Sequence, residues 1–319
     1  MRNTRRLALG ASILASIAMV GTAGGGAIVS AQDQPTVRIG SDGFYESQLL
    51  AEIYAQALET EGFGIDRQFA IGARPARVEA FESGQIDLVP EYVGSGLGFY
   101  TVGSENADLA AIEVSGDGEA NRAGLQSALD IAGVDATVLA ITAGEDTNAA
   151  VIRADTAEEF GLATISDLAA VADQVTFGLP PECEVNALCR GALEDGYGIA
   201  WPPAQLELLP PCGAEMAGAL EGNAIDVAWL CSTQPIIAQN GWVVLEDDLE
   251  TQPAENLAPI VRNDFLEGVQ GGADTLAAIL DPISAAVTTD VLTELGVRVA
   301  VDQEDIGDVA ADFLAGLGG

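Results

Sequence analysis

The sequence predicts an α/β fold in two lobes joined by two crossovers, and three observations carry that prediction. From Val37 to Leu97, strand and helix patterns alternate: VRIGSDGFYESQLLAEIYAQALETEGFG, then ESGQIDLVPEYVGSGL. A second alternating set runs from Ala149 to Leu245. An apolar strand at Pro259–Arg262 then leads into a helical C-terminal part that returns to the first set. Such alternation indicates helices layered on sheets.

Taken in order, residues 37–40 read as a strand, and the following helix carries Leu49, Leu50, Ile53, Tyr54, Ala57 and Leu58 on one face before Gly62 stops it. A second strand is expected near Phe69-Ala70-Ile71. Pro75 suits the first turn of a helix that buries Val78 and Phe81 and ends at Gly84. Ile86–Val89 forms the next strand and runs into Pro90-Glu91-Tyr92. A loop, a helix N-terminus and a strand end thus meet at one sheet edge, where open α/β sheets hold small ligands. That arrangement points to binding rather than catalysis. Residues 101–118 read as a polar surface connection, Ala123–Ala132 as a helix, and Thr137–Ile141 as a strand entering a crossover. In the second set, Ala149–Arg153 is a strand, Ile165–Ala172 a helix after Thr164, and Val175–Gly178 a strand. Glu215–Leu220 is a helix ended by Gly222, and Ile225–Leu230 and Trp242–Leu245 are strands. Thr289 is the expected cap of a helix containing Val291 and Leu292, and a last helix covers Ile306–Leu314. The expected division is residues 32–144 with 248–319 in lobe 1 and 145–247 in lobe 2.

The N-terminus reads as an export signal over residues 1–31. Arg2, Arg5 and Arg6 form a basic region, Leu7–Val20 an apolar one, and Val29-Ser30-Ala31 a small-residue cleavage site. The apolar run is short for a membrane span, which sets aside an uncleaved anchor. Arg5-Arg6 is a partial twin-arginine match, so Sec and twin-arginine export both stand. An extracytoplasmic product, with no direct membrane insertion after cleavage, follows.

All 12 basic residues are arginine, with no lysine and no histidine, against 49 acids. Without the three signal arginines the formal charge is −40, from 9 arginines against 49 acids. Nucleic acid and anionic membranes are therefore disfavoured partners. The missing histidine and lysine exclude Ser-His-Asp and Cys-His catalysis, lysine Schiff bases and histidine metal sites. Lysine's absence also excludes a phosphate-binding P-loop. Carboxylate-only hydrolysis stays open, as do all-oxygen calcium sites, although no calcium-loop motif occurs. Four cysteines in an exported chain favour disulfides. Cys183 and Cys189, in PPECEVNALC, form a natural local bridge and leave Cys212 with Cys231. Zinc is the rival, for which C-x5-C is poor spacing, and the sequence alone permits three pairings.

The ordered stretches IGSDGFYES, ESGQIDLVPEYVGSGL, AEEFGLATISDLA, TFGLPPEC, EGNAIDVAWLCSTQPIIAQNGWVVLEDD, APIVR and TTDVLTELGVRVAVD span about residues 37–316. In combination they resemble the extracytoplasmic solute-binding proteins of ABC importers for glycine betaine, choline and carnitine. That resemblance implies a two-lobed, periplasmic-binding-protein-like fold (type II) whose hinge has two crossovers. It also implies a small solute held between the lobes, membrane permease subunits as partners, and no cofactor. In the family an aromatic cage holds a quaternary ammonium by cation–π attraction.

Carried over residue by residue, Tyr92 matches the family tyrosine. The family's Asn-Thr-Tyr falls on Asp146-Thr147-Asn148, and its Tyr-Thr-Thr-Asp on Cys231-Ser232-Thr233-Gln234. Trp229, two residues before Cys231 on one strand face, is a candidate replacement ring or a core residue. The family's loop glutamine falls on Ser47, and the threonine after its second strand on Arg74. Tyr92, Arg74, Asp146, Asn148 and Trp229 are the candidate ligand contacts, and Ser41, Ser47, Ser232 and Thr233 the hydrogen-bonding ones. Arg74 offers a planar fork for a carboxylate. With Asp146 it could clamp a zwitterion, or it could instead pair with an acid such as Glu79. The lost rings predict weak glycine betaine or choline binding. The alternatives are a binder of amino-acid-like or other carboxylate solutes, a sensory module, and a carboxylate-based hydrolase.

Overall fold

The computed structural model describes residues 34–210 and 212–317, so the expected export signal lies outside the described residues. The first sheet is built from β1 (Thr36–Gly40), β2 (Gly64–Gln68), β3 (Leu88–Tyr92), β4 (Ala136–Val138) and a late strand, Leu257–Arg262, in the order β2-β1-β3-late strand-β4. Its first three strands are parallel and the late strand is antiparallel to its neighbours. The second sheet repeats the plan with β5 (Asn148–Ile152), β6 (Phe177–Leu179), β7 (Leu206–Leu208), β8 (Val227–Cys231) and β9 (Val243–Val244), which makes the late strand β10. Its order is β7-β6-β8-β5-β9, with β5 antiparallel. In both sheets the antiparallel strand beside the parallel trio is the one that enters from the other sheet.

Helices cover both faces of each sheet, which is why the strands read as short apolar runs. In the first lobe, α1 (Tyr45–Thr60) lies on one face, and α2 (Arg74–Glu82) and α3 (Val93–Thr101) on the other. A short α4 (Ala107–Ala110) leads to α5 (Gly118–Ala132), whose Leu125 and Leu129 complete the α2–α3 face. In the second lobe, α6 (Ala154–Phe160) and α7 (Ile165–Ala169) cover one face. The opposite face carries α8 (Ala214–Glu221) and α9 (Pro235–Gln239). After β10, α10 (Asn263–Leu266), α11 (Gly272–Ala286), α12 (Thr289–Gly296) and α13 (Ile306–Leu317) return to the first lobe. There Leu276, Leu280, Leu292 and Val309 join Leu49, Ile53 and Tyr54 of α1 in one core.

Several elements differ from the sequence reading. The second strand is Gly64–Gln68 rather than Phe69–Ile71, because β2 is an exposed edge strand and carries no apolar signature. Phe69–Ile71 instead forms the turn leaving it, with Ala70 at φ 57°. The third strand begins at Leu88 and extends through Tyr92. The surface connection contains α4, and α5 begins five residues earlier than expected, where the Asp117 side chain accepts N–H bonds from Glu119 and Ala120. The cap of α12 is Thr288, whose hydroxyl accepts from the Val291 N–H at 3.2 Å. Thr289 turns to the crossover and accepts the Glu145 N–H at 3.1 Å. The expected capping residue Thr164 holds in a full capping box with Asp167.

Both proposed disulfides form, Cys183–Cys189 and Cys212–Cys231. The two crossovers run side by side. The Thr142 N–H donates to Leu257 O at 2.7 Å, the Leu257 N–H to the Thr142 hydroxyl at 2.9 Å, and the Asp146 N–H to Glu255 O at 3.2 Å. Asn256 adds amide bonds to Thr142 O and Gly144 O, both 3.1 Å. At Gly144 the first crossover passes so close to the start of α12 that an added Cβ would lie 2.1 Å from Thr289 N. Gly144→Ala is therefore expected to cost about 1–3 kcal/mol through forced backbone displacement, measured as a lower midpoint in urea unfolding.

Candidate functional site

The loop after β1 is shaped by its own small side chains. The Ser47 hydroxyl accepts the Asp42 N–H at 2.9 Å. The Ser41 hydroxyl accepts the Ala70 N–H at 2.9 Å and donates to Asp42 O at 3.0 Å. Both serines are fully buried, and their bonds fix the loop. The loop in turn holds Asp42 against Arg77 of α2, whose Nε donates to Asp42 Oδ1 at 2.9 Å. The other arm of Arg77 donates to Glu91 Oε2, and Arg77 is only 1% exposed.

Arg74, at the start of the same helix, donates to Glu91 Oε1 at 3.1 Å and to the Ser95 hydroxyl at 2.6 Å. Of the two expectations for Arg74, a solute clamp or pairing with a protein acid, the structure shows an ion pair, with Glu91 rather than Glu79 as the acid. Burial raises the Glu91 pKa, but the two arginines outweigh it and hold the group below the usual carboxylate range. Asp42 is pushed up by burial despite Arg77. Glu255, on the second crossover, accepts the Ser95 N–H at 3.0 Å through Oε2, while its buried Oε1 has no partner. Burial pushes this carboxyl up to about 8, against the Ser95 bonds and the Arg74 charge. The two arginines thus pair with Asp42 and Glu91, while burial favours the protonated form of Glu255.

One residue beyond Glu91, Tyr92 ends β3 and reaches toward the second lobe. Its hydroxyl donates to Glu46 Oε1 at 2.6 Å. The other oxygen of Glu46 accepts the Thr233 hydroxyl at 2.8 Å, a bond from the loop after β8 to the first turn of α1. Thr233 also donates its backbone N–H to Asp146 Oδ1 at 3.0 Å, and the Ser232 hydroxyl reaches the same oxygen at 3.3 Å. Ser232 in turn is bonded to Thr147. The Phe44 and Tyr92 rings stand beside this junction with centroids 5.9 Å apart. Burial, then the neighbouring Asp146 charge, raises the Glu46 pKa well above its ordinary value. Burial raises Asp146 in the same sense. No ion pair among the described residues engages either group.

The structure thus brings Tyr92, Asp146, Ser232 and Thr233 together at the interlobe junction. Arg74 lies outside that junction, on a recess of about 250 Å³ that it shares with Ser95 and Phe99 of the first lobe and Asn186 and Leu188 of the second. Asn148 begins β5 opposite Cys231, half-buried. Trp229 is a correction: strand alternation puts it with Val227 on the α7 face of β8, where it packs at 2% exposure among Phe177, Leu179 and Tyr197. It supplies no ring to the junction. Glu46, Arg77 and Glu255 were not among the expected contacts. Glu46 lies within the quoted IGSDGFYES stretch and Glu91 at a strand end, but nothing local marks Arg77 or Glu255 as buried.

A family profile described as the substrate-binding domain of ABC-type glycine betaine transport systems matches residues 35–316. The chain belongs to this family. The glycine-betaine-binding protein of Pseudomonas aeruginosa is 28% identical over 288 residues, covering 88% of this chain and 87% of that protein. The glycine betaine-binding protein YehZ of Escherichia coli is 27% identical over 288 residues, covering 87% and 89%. The solved apo structure of YehZ matches with a TM-score of 0.62 at 27% identity, over 89% of this chain and 99% of that one. A structure of a glycine betaine/carnitine/choline ABC transporter, at 19% identity, gives a TM-score of 0.69 over 88% and 98% and attests the shared fold. This substrate-binding protein is accordingly a two-lobed α/β component of an ABC-type transport system, which binds a small solute and works with permease subunits. Members of the family are extracytoplasmic solute-binding proteins.

Two outcomes follow for the buried charges of this substrate-binding protein. Arg77→Met leaves Asp42 and Glu91 short of a partner and should destabilise by about 3–5 kcal/mol, read from chemical unfolding. Glu255 holds its proton in the folded chain and loses it near the ordinary carboxylate range when unfolded. Its contribution to stability is therefore fully present below about pH 4.5, the ordinary value, and lost as the pH rises through about 8. Glu255→Gln should accordingly gain in melting temperature relative to the parent chain between pH 5 and pH 9. An unchanged difference would assign Glu255 no proton of its own.

Proposed function

We infer that this chain is the exported, extracytoplasmic subunit that delivers a small ammonium-bearing, osmoprotectant-like solute, quaternary or zwitterionic, to its permease. It binds and releases the solute without transforming it. The solute is held between the lobes at the junction of Tyr92, Asp146, Ser232 and Thr233, with Glu46 and the Phe44 ring completing the wall. The carrying observation is the meeting of two buried carboxyl groups, Glu46 and Asp146, with aromatic rings and with no basic side chain bonded to either. Opposite charge and ring faces both favour a cation. Closure is a population shift, since a solute at this junction touches both lobes only when they are together. The basic residues, the apolar run and the small-residue site at the N-terminus support export by a cleaved signal.

A second reading, an amino-acid-like solute, is favoured by the character of the pair. Its oxygens accept hydrogen bonds that an N–H ammonium can donate and a fully methylated one cannot. The expected order of affinity is proline or glycine, which carry N–H groups, above glycine betaine and choline, which carry none. Titration calorimetry of the four solutes tests it, and Tyr92→Ala should weaken the bound solute about tenfold, the worth of one cation–π contact. Tight choline binding with no response to the amines would overturn the order. Binding unaffected by Tyr92→Ala would move the site elsewhere.

A further inference from the structure

Glu46 and Asp146 come from different parts of the chain, the first turn of α1 and the first crossover, and Thr233 of the second lobe ties them together. Its hydroxyl engages one carboxyl group at 2.8 Å and its N–H the other at 3.0 Å. Both groups are buried, at 2% and 6% exposure. The titratable side chains facing them are Tyr92, which donates to Glu46, and Tyr45, which both acids influence. Asp42, Glu91, Arg74 and Arg77 stand behind Tyr92 and are paired with one another. Glu255 faces Asp146 only through its backbone carbonyl. Two adjacent buried carboxylates with no counter-charge cannot both ionise cheaply, and a shared proton is the usual resolution.

We propose that Glu46 and Asp146 share one proton across the cleft in the ligand-free chain, and that a cationic solute replaces it, so that binding expels a proton. The proposal rests on the reading of this junction as the solute site. The exchange balances: the pair begins with one proton and a charge of minus one, the ammonium group of the solute brings plus one, and the proton leaves to solvent from the carboxyl oxygen, any carboxylate of a zwitterionic solute being carried in and out unchanged. Both carboxylates then face the ammonium. Uptake would therefore weaken as the medium becomes more acidic, because the solute then competes with the proton.

Calorimetric titration of proline, glycine betaine and choline at pH 7, in phosphate and in Tris, reads the proton directly. The enthalpies should differ between the buffers by the difference of their ionisation heats, taken once per bound solute. The double variant Glu46→Gln/Asp146→Asn has neither acid and should abolish that difference in any solute it still binds. Equal enthalpies in both buffers for a solute that binds the parent chain would overturn the proposal. If no solute of the panel binds, the solute assignment fails instead, and the ligand-free protein decides the proton. Its melting temperature should fall relative to the double variant Glu46→Gln/Asp146→Asn as the pH rises from 5 to 8, because only the parent chain has a carboxyl group at the junction to hold the proton. Glu255 is common to both chains and cancels. Parallel melting curves would overturn the shared proton.

Discussion

Arg77 is the interaction on which the site depends. Its guanidinium joins the loop after β1, through Asp42, to the end of β3, through Glu91. Those two segments carry Glu46 and Tyr92 toward the second lobe, so the spacing of the junction is inherited from one buried cation. Arginine suits the role because its planar fork can serve two carboxylates at once, and because it stays charged when buried. A buried charge costs solvation that its partners must offset. Arg74 supplies the second positive charge, and Glu255 takes up a proton rather than adding a third negative one. The cluster is thereby neutral beneath the cleft, and this neutrality distinguishes it from the uncompensated acid pair a few residues away.

The contrast between those two groups of acids is what supports the proposal of a cation at the junction. Forty-nine acidic residues make most carboxylates uninformative, because water screens them at the surface. Glu46 and Asp146 are buried and lack the arginines that the neighbouring cluster holds. Their hydrogen bonds come from hydroxyls and one backbone N–H, which orient the oxygens but neutralise nothing. An aspartate at position 146, where the resemblance places asparagine, supplies a charge where an aromatic ring has been lost two residues later. The crossovers bring this group to the hinge, where the backbone of Asp146 is bonded to Glu255.

Much of the fold was legible because it rests on period and punctuation. The face of α1, the glycine stops and the Thr164 cap follow from local rules and appear where those rules put them. The edge strand β2 was misplaced because an exposed strand has no buried face to write an apolar pattern into the chain. Trp229 shows the same limit from the other side. Strand alternation assigns it a face, but only the helices packed on that face determine whether it sees the cleft or the core.

Composition and motif order determined the class of protein, since the absence of lysine and histidine prunes chemistry and the ordered stretches carry the family. The resemblance, carried over residue by residue, nominated Tyr92, Asp146, Ser232 and Thr233, and the structure brings these four together. The partners of Arg74 and the meeting of Glu46 with Asp146 were decided only by tertiary structure. Each joins residues 17 to about 100 positions apart, and which acid lies beside which base depends on how sheets and crossovers pack. Charge can be counted along a chain, but its solvation and its neighbours exist only in the folded molecule.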